Sequence, residues 1–157
     1  MHGVEYYNDS KATNVDATIK ALESFPGRIH LILGGKDKGS DYSVLNELLK
    51  ERVTRVYTVG AAAAKIESQV SGTEVVSAGT LDAAVRRASE AAASGDIVLL
   101  APACASFDQF QSYEHRGRVF KELVRQVAAR SQQREPASAG VTPEQSQVPL
   151  HDSGDNE

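Results

Sequence analysis

The chain has 157 residues, 41% hydrophobic and 24% charged, proportions that suit one soluble globular domain with or without a tail. A net charge of −4 is not the basic footprint of a nucleic-acid binder, and the single cysteine, Cys104, excludes an internal disulfide and fits a reducing cytoplasm. No apolar run approaches the ~20 residues that span a bilayer, and Met1 to Glu5 lacks the basic-then-apolar pattern of a secretory signal.

Val4-Glu5-Tyr6-Tyr7 reads as a short strand leading into the polar loop Asn8 to Asn14. Asn14 can cap a helix in which Val15, Ala17, Ile19, Leu22 and Phe25 recur at helical spacing, ended by Pro26-Gly27. Ile29 to Leu33 is a buried strand running into Gly34-Gly35-Lys36-Asp37-Lys38-Gly39-Ser40-Asp41, and a helix with Leu45, Leu48 and Leu49 on one face follows. Val53 to Val59 is a third strand, followed by an alanine-rich helix from Ala61 to about Val70. Glu74 to Val76 is a fourth strand, and Thr80 caps a helix that turns Leu81, Ala84, Val85 and Ala88 inward. Asp96 to Leu100 is the strongest candidate for a central strand, and it opens into Ala101 to Phe110. A last helix from about Arg116 to Ala129 buries Val119, Phe120, Leu123, Val124 and Val127.

Residues 131–157 carry one basic and five acidic groups and three of the five prolines, which leaves residues 1–130 electrically balanced. The segment has no apolar periodicity, so its ordering entropy outweighs what it can bury, and it reads as a disordered tail that is functionally silent or a docking peptide. Five strands, each followed by a helix, predict an α/β domain over residues 1–130. Its expected core is a doubly wound, mainly parallel, Rossmann-like sheet with helices on both faces.

Ligands of such sheets sit beyond the carboxyl ends of the strands, near the point where strand order reverses. The loops after the first, second and fifth strands are polar, whereas Gly60-Ala61 and Ala78-Gly79 after the third and fourth are bland. Lys11 and Lys38 offer cationic donors, Thr13 and Ser106 offer hydroxyls, and the helix starts offer free N–H groups. That inventory suits an anion with more than one charged end, such as a dicarboxylate or a phosphate. Each residue also has a plain structural reading: Asn14, Thr80 and Ser106 as caps, Lys36 and Lys38 as solvated surface charges, and Cys104 as an inert buried thiol. The four histidines have no metal-ligand spacing. There is no G-x-G-x-x-G, and the lysine that a phosphate loop needs after Gly39 is absent.

Read together, Asn8-Asp9-Ser10-Lys11-Ala12-Thr13-Asn14, Gly34 to Tyr42 and Pro102-Ala103-Cys104-Ala105-Ser106-Phe107-Asp108-Gln109-Phe110 resemble one family. It is the C-terminal domain of the Mur ligases that add D-glutamate to UDP-N-acetylmuramoyl-L-alanine. The likeness covers roughly residues 3–129, and the first two loops are those in which Mur ligases for other amino acids look different.

The resemblance implies a cytoplasmic, ATP-dependent amide ligase of peptidoglycan synthesis, needed for cell shape and division, in which Mg²⁺ offsets phosphate charge. Its partners would be D-glutamate, UDP-N-acetylmuramoyl-L-alanine and ATP, with no nucleic acid and no membrane. By motif position, Thr13, Lys38, Ser106 and the Phe107 backbone would hold the substrate carboxylates. Tyr113 would line the same pocket, Asp9 and Lys11 would face the nucleotide, and no residue is assigned to catalysis or to a metal.

The family's enzymes have three domains, and this chain matches only the last. It therefore reads as a fragment without the UDP-binding and central ATPase domains, and the isolated chain is expected to be inactive. Ala101 stands where the family commonly has serine. Two other readings use the same loops: a non-catalytic α/β module for an anionic metabolite or protein partner, and a small phosphate-binding enzyme.

Overall fold

Runs rich in valine, isoleucine and leucine, bounded by glycines and polar turns, form parallel strands, and the helically spaced apolar segments between them form the crossovers. A computed structural model of the chain describes residues 3–134 and 149–152. In chain order the elements are β1 (Glu5–Asn8), α1 (Val15–Glu23), β2 (Ile29–Gly34), a 3-10 turn (Tyr42–Leu45), α2 (Asn46–Arg52), β3 (Val53–Val59) and α3 (Ala63–Gln69). They continue with β4 (Glu74–Gly79), α4 (Leu81–Ala91), β5 (Ile97–Leu100), α5 (Tyr113–Arg134) and β6 (Leu150–Asp152). The strands form a six-stranded, all-parallel sheet in the order β4-β3-β2-β5-β1-β6.

Alternation along the strands divides the core in two. Leu31, Leu33, Val56 and Leu99 face one layer, packed by Val15, Leu22, Leu49 and Ile66 of α1, α2 and α3. Ile32, Tyr57, Val98 and Leu100 face the other, packed by Leu81, Val85, Phe120 and Val124 of α4 and α5. Every residue of β2 is buried, as a central strand covered on both faces requires. Asn14 and Thr80 are the helix caps expected of them: the Ala17 N–H donates to Asn14 Oδ1 at 2.8 Å and the Ala83 N–H to Thr80 Oγ1 at 3.2 Å.

Two expectations need correction. The last helix starts at Tyr113, not Arg116, because Ser112 Oγ accepts the His115 N–H at 3.0 Å and so caps a polar first turn. It also continues to Arg134, and Leu150–Asp152 adds a sixth strand beside β1, so parts of the expected tail are regular structure. The rest of that segment, 135–148 and 153–157, lies outside the described residues.

The end of the sheet where the strands begin is fastened by one carboxylate. Asp96 accepts from Arg28 Nε at 2.9 Å and the Ala93 N–H at 2.9 Å, and pairs with His30 Nε2 at 3.0 Å. The other His30 nitrogen meets Tyr57 Oη at 3.0 Å in the buried layer between β2 and β3. Asp96→Ala strips three donors of their acceptor and is expected to cost about 2–3 kcal/mol in urea unfolding at unchanged slope.

Candidate functional site

The chain winds outward from β2 to β3 to β4 and then returns to lay β5 between β2 and β1. Strand order therefore reverses at β2-β5-β1, and the three polar loops leave these three adjacent strands. The bland loops follow β3 and β4, towards one edge.

Backbone hydrogen bonds stitch the three loops into one rim. Lys36 and Ala105 form an antiparallel bridge, with N···O distances of 2.8 and 3.2 Å. The Gly34 N–H donates to Pro102 O at 3.0 Å, the Ala103 N–H to Ala12 O at 2.9 Å and the Asp9 N–H to Leu100 O at 2.8 Å. The approach is close enough to exclude a side chain at Gly35, where a Cβ would collide with the Ala105 carbonyl and sit 3.0 Å from Cys104 Cβ. Its φ of +139° also suits glycine alone.

Beneath the rim lies Arg116, 2% exposed. Its guanidinium donates to Ser10 Oγ at 2.8 Å, Ser10 O at 2.7 Å and Cys104 O at 3.0 Å, while Ser10 Oγ donates to Tyr113 O at 2.7 Å. One side chain thus ties the β1 loop, the β5 loop and the first turn of α5. Burial pushes its pKa down to about 10, which still leaves it charged at neutral pH.

The rim encloses a cavity of about 300 Å³ lined by Thr13, Lys36, Lys38, Ala105, Ser106, Phe107 and Tyr113. Ser106 is 1% exposed, and its hydroxyl has no hydrogen-bond partner among the described residues. It is not a side-chain cap, since only its carbonyl engages the following turn, accepting the Phe110 N–H at 2.9 Å. The two lysines are exposed and have no carboxylate partner among the described residues. Asp37, between them in sequence, is taken up elsewhere: its carboxylate accepts from Lys65 Nζ at 2.8 Å and Tyr42 Oη at 2.7 Å. Those bonds hold the Asp37 carboxyl well below its ordinary range. Burial pushes the Cys104 thiol up, 3.1 Å from Tyr42 Oη, so it stays protonated and inert at neutral pH.

Of the residues singled out from sequence, Thr13, Lys38, Ser106, Phe107 and Tyr113 come together around this cavity. Asp9 and Lys11 lie on the same β1 loop but do not line it. Lys36, which the sequence offers either as a polar residue of the β2 loop or as a solvated charge, lines the cavity, whereas sequence reasoning missed Arg116 as the tie and the Asp37–Lys65 pair. Asp108, one of the polar residues of the β5 loop, accepts the Ala61 N–H at 3.0 Å and so braces the β3 loop, a role that no local pattern assigns. For Arg116 a signal existed: a cation spaced with Phe120 and Val124 on the core-facing stripe of α5 needs buried acceptors. Among the described residues there is no cluster of three or more histidine, cysteine or acidic side chains able to hold a metal, and no helix long and apolar enough to cross a membrane.

A parallel sheet with a lysine-lined switch point is the architecture of a nucleotide- or metabolite-binding α/β domain. Comparison narrows it: residues 1–104 match the family model described as Mur ligase, glutamate ligase domain, and the chain belongs to that family. It is similar to three proteins named UDP-N-acetylmuramoylalanine–D-glutamate ligase. The Koribacter versatilis protein is 74% identical over 128 residues, covering 82% of this chain and 28% of that protein. The Acidobacterium capsulatum protein is 63% identical over 78% of the chain and 27% of its own length, and the Solibacter usitatus protein 61% identical over 79% and 28%. The chain thus spans about 28% of the length of the curated relatives it matches.

Arg116→Ala should destabilise the fold by about 2–4 kcal/mol in urea titration, since it leaves buried carbonyls of both loops without donors. Asp37 has a depressed carboxyl, so its stabilisation is full above the unfolded-state value near pH ~4 and fades as the pH falls below it. Asp37→Asn is accordingly expected to flatten the loss of unfolding free energy between about pH 4 and pH 2.

Proposed function

We propose that the cavity binds D-glutamate and that the chain acts as the D-glutamate-binding domain of a ligase. That ligase would join D-glutamate to UDP-N-acetylmuramoyl-L-alanine in the cytoplasm during peptidoglycan precursor synthesis. The observation that carries this reading is the buried Ser106 hydroxyl, in a cavity with two lysines, none of the three groups having a hydrogen-bonding or carboxylate partner among the described residues. A buried unpaired hydroxyl costs roughly 1–3 kcal/mol, which a ligand acceptor would recover. The cavity volume is at the low end of the ~300–1,000 Å³ usual for small-molecule sites, which suits an amino acid better than a nucleotide.

Lys38, Thr13, Ser106 and the Phe107 backbone N–H would hold the two carboxylates through charge-assisted hydrogen bonds, with Tyr113 as an apolar wall. Asp9 and Lys11, beside the cavity on the same loop, would face ATP. One ammonium and one carboxylate can touch a nucleotide but cannot neutralise a triphosphate. The bulk of ATP and its Mg²⁺ would therefore be held by parts of the ligase outside this domain. When bound, ATP supplies activation of the acceptor carboxylate. What these side chains contribute is orientation: they fix D-glutamate so that its amine points at the acceptor, with no proton transfer asked of them.

Two measurements test this. D-glutamate should shift the amide resonances of Thr13, Lys38 and Ser106 saturably at millimolar concentrations, the range expected of about −4 kcal/mol of binding. Lys38→Ala should weaken the response about tenfold or more while leaving the unfolding midpoint unchanged. Absence of any response to D-glutamate, or an equal response to D-alanine, would overturn the reading. The chain alone, given ATP, Mg²⁺, UDP-N-acetylmuramoyl-L-alanine and D-glutamate, should release no phosphate; measurable turnover would refute this division of labour.

A further inference from the structure

The β6 strand is too short to hold itself in place by backbone pairing, yet each of its three side chains meets a fitted partner. Leu150 packs into the α4–α5 layer of the core. His151, on the opposite face, stacks on Tyr7 with ring centroids 4.5 Å apart and planes at 20°, and its Nε2 lies 3.6 Å from Glu5 Oε1. Asp152 returns to the α5 side, where each carboxylate oxygen has its own donor: Asn8 Nδ2 at 2.6 Å and Lys121 Nζ at 2.8 Å. The Tyr6 N–H donates to Pro149 O at 2.9 Å and starts the ladder. This alternation of pocket, stack and charged socket along a sheet edge is the pattern of strand addition by an extended peptide.

Asn8 also faces the rim. Its Oδ1 accepts the Ser10 N–H at 3.2 Å, and Ser10 is the residue held by Arg116. The Asn8 amide lies against Gly117 of α5, where a Cβ would come within 2.9 Å of Nδ2. A carboxylate on Nδ2 therefore fixes which way the amide faces and presents Oδ1 to the β1 loop.

We propose that the outer edge of β1, ended by Asn8 and Lys121, is a receptor for an extended segment bearing a carboxylate. Its occupant is this chain's own Pro149–Asp152, and occupancy holds the β1 loop in the shape that places Thr13 on the cavity. The inference stands apart from what fills that cavity.

The test removes the strand and returns it as a separate molecule. In a chain ending at Val148, Tyr6 amide exchange should rise at least about tenfold and the amide resonances of Ser10 and Thr13 should shift. A capped synthetic peptide of residues 148–153 should bind this shortened chain and restore both. The same peptide carrying Asp152→Asn should bind about tenfold more weakly, having lost one charge-assisted hydrogen bond. If the shortened chain fails to fold, the full-length Asp152→Asn variant is read in the same way at Ser10 and Thr13. Unmoved Ser10 and Thr13 resonances in whichever form is measured, or no peptide binding by a folded shortened chain, would overturn the proposal. Concentration-dependent dimerisation of the full-length chain would also overturn it, by placing the occupant on a second copy.

Discussion

A buried guanidinium whose hydrogen bonds, among the described residues, all go to carbonyls and a hydroxyl is costly to keep, and here it holds the site together. Arg116 spends its donors on two carbonyls and a hydroxyl belonging to loops that are about 90 residues apart in the chain. Carbonyl acceptors are weaker partners for a cation than a carboxylate, but unlike a carboxylate they carry no formal charge to cancel it. The tie that closes the rim therefore also adds positive charge below it. Losing the side chain would do two things at once: release the β1 and β5 loops from each other, and strand buried acceptors that water cannot reach.

That tie is useful because the sheet topology has already brought the loops within reach. With β5 inserted between β2 and β1, three strand ends emerge side by side, and each delivers a polar loop. The Lys36–Ala105 bridge and the Gly34–Pro102 bond extend the pairing past the strand ends, so the rim is a continuation of the sheet. The opposite end is managed differently. There Asp96 gathers His30, Arg28 and a backbone N–H around one carboxylate. Polar groups are paired off at one end and left available at the other.

Much of this could be read in the residues because it is local. β3 and the Ile97–Leu100 run announce themselves by apolar density, and Asn14 and Thr80 by their place before helical periodicity. The contrast between polar and bland loops pointed to the switch point before any strand order was known. What escaped was set by tertiary contact. Ser112 caps α5 in a stretch with no apolar pattern, so the first turn looked like loop. β6 has one apolar residue in three, and an edge strand needs only one buried face; periodicity cannot register so short a signal. Lys65 neutralises Asp37 across 28 residues, a pairing no local rule contains. Asn14 and Ser106 look alike as polar residues near helix starts, and only the surroundings show that one hydroxyl or amide is used and the other is left over.

The same accounting explains how a chain of net charge −4 presents a cationic cup. Three acids close to the rim are each committed to donors of their own: Asp37 to Lys65 and Tyr42, Asp108 to the Ala61 N–H, Asp152 to Lys121 and Asn8. None of the three lines the cavity, whereas Lys36 and Lys38 do. At a Debye length of about 8 Å in physiological salt, charges farther off are largely screened, so the local balance governs what enters. A ligand with two carboxylates would meet two ammonium groups and a hydroxyl that have no partner among the described residues, and the overall sign of the chain would matter little to it. On the proposed reading, cations and neutral molecules of similar size would bind less well, because they would bring no counter-charge to the two lysines.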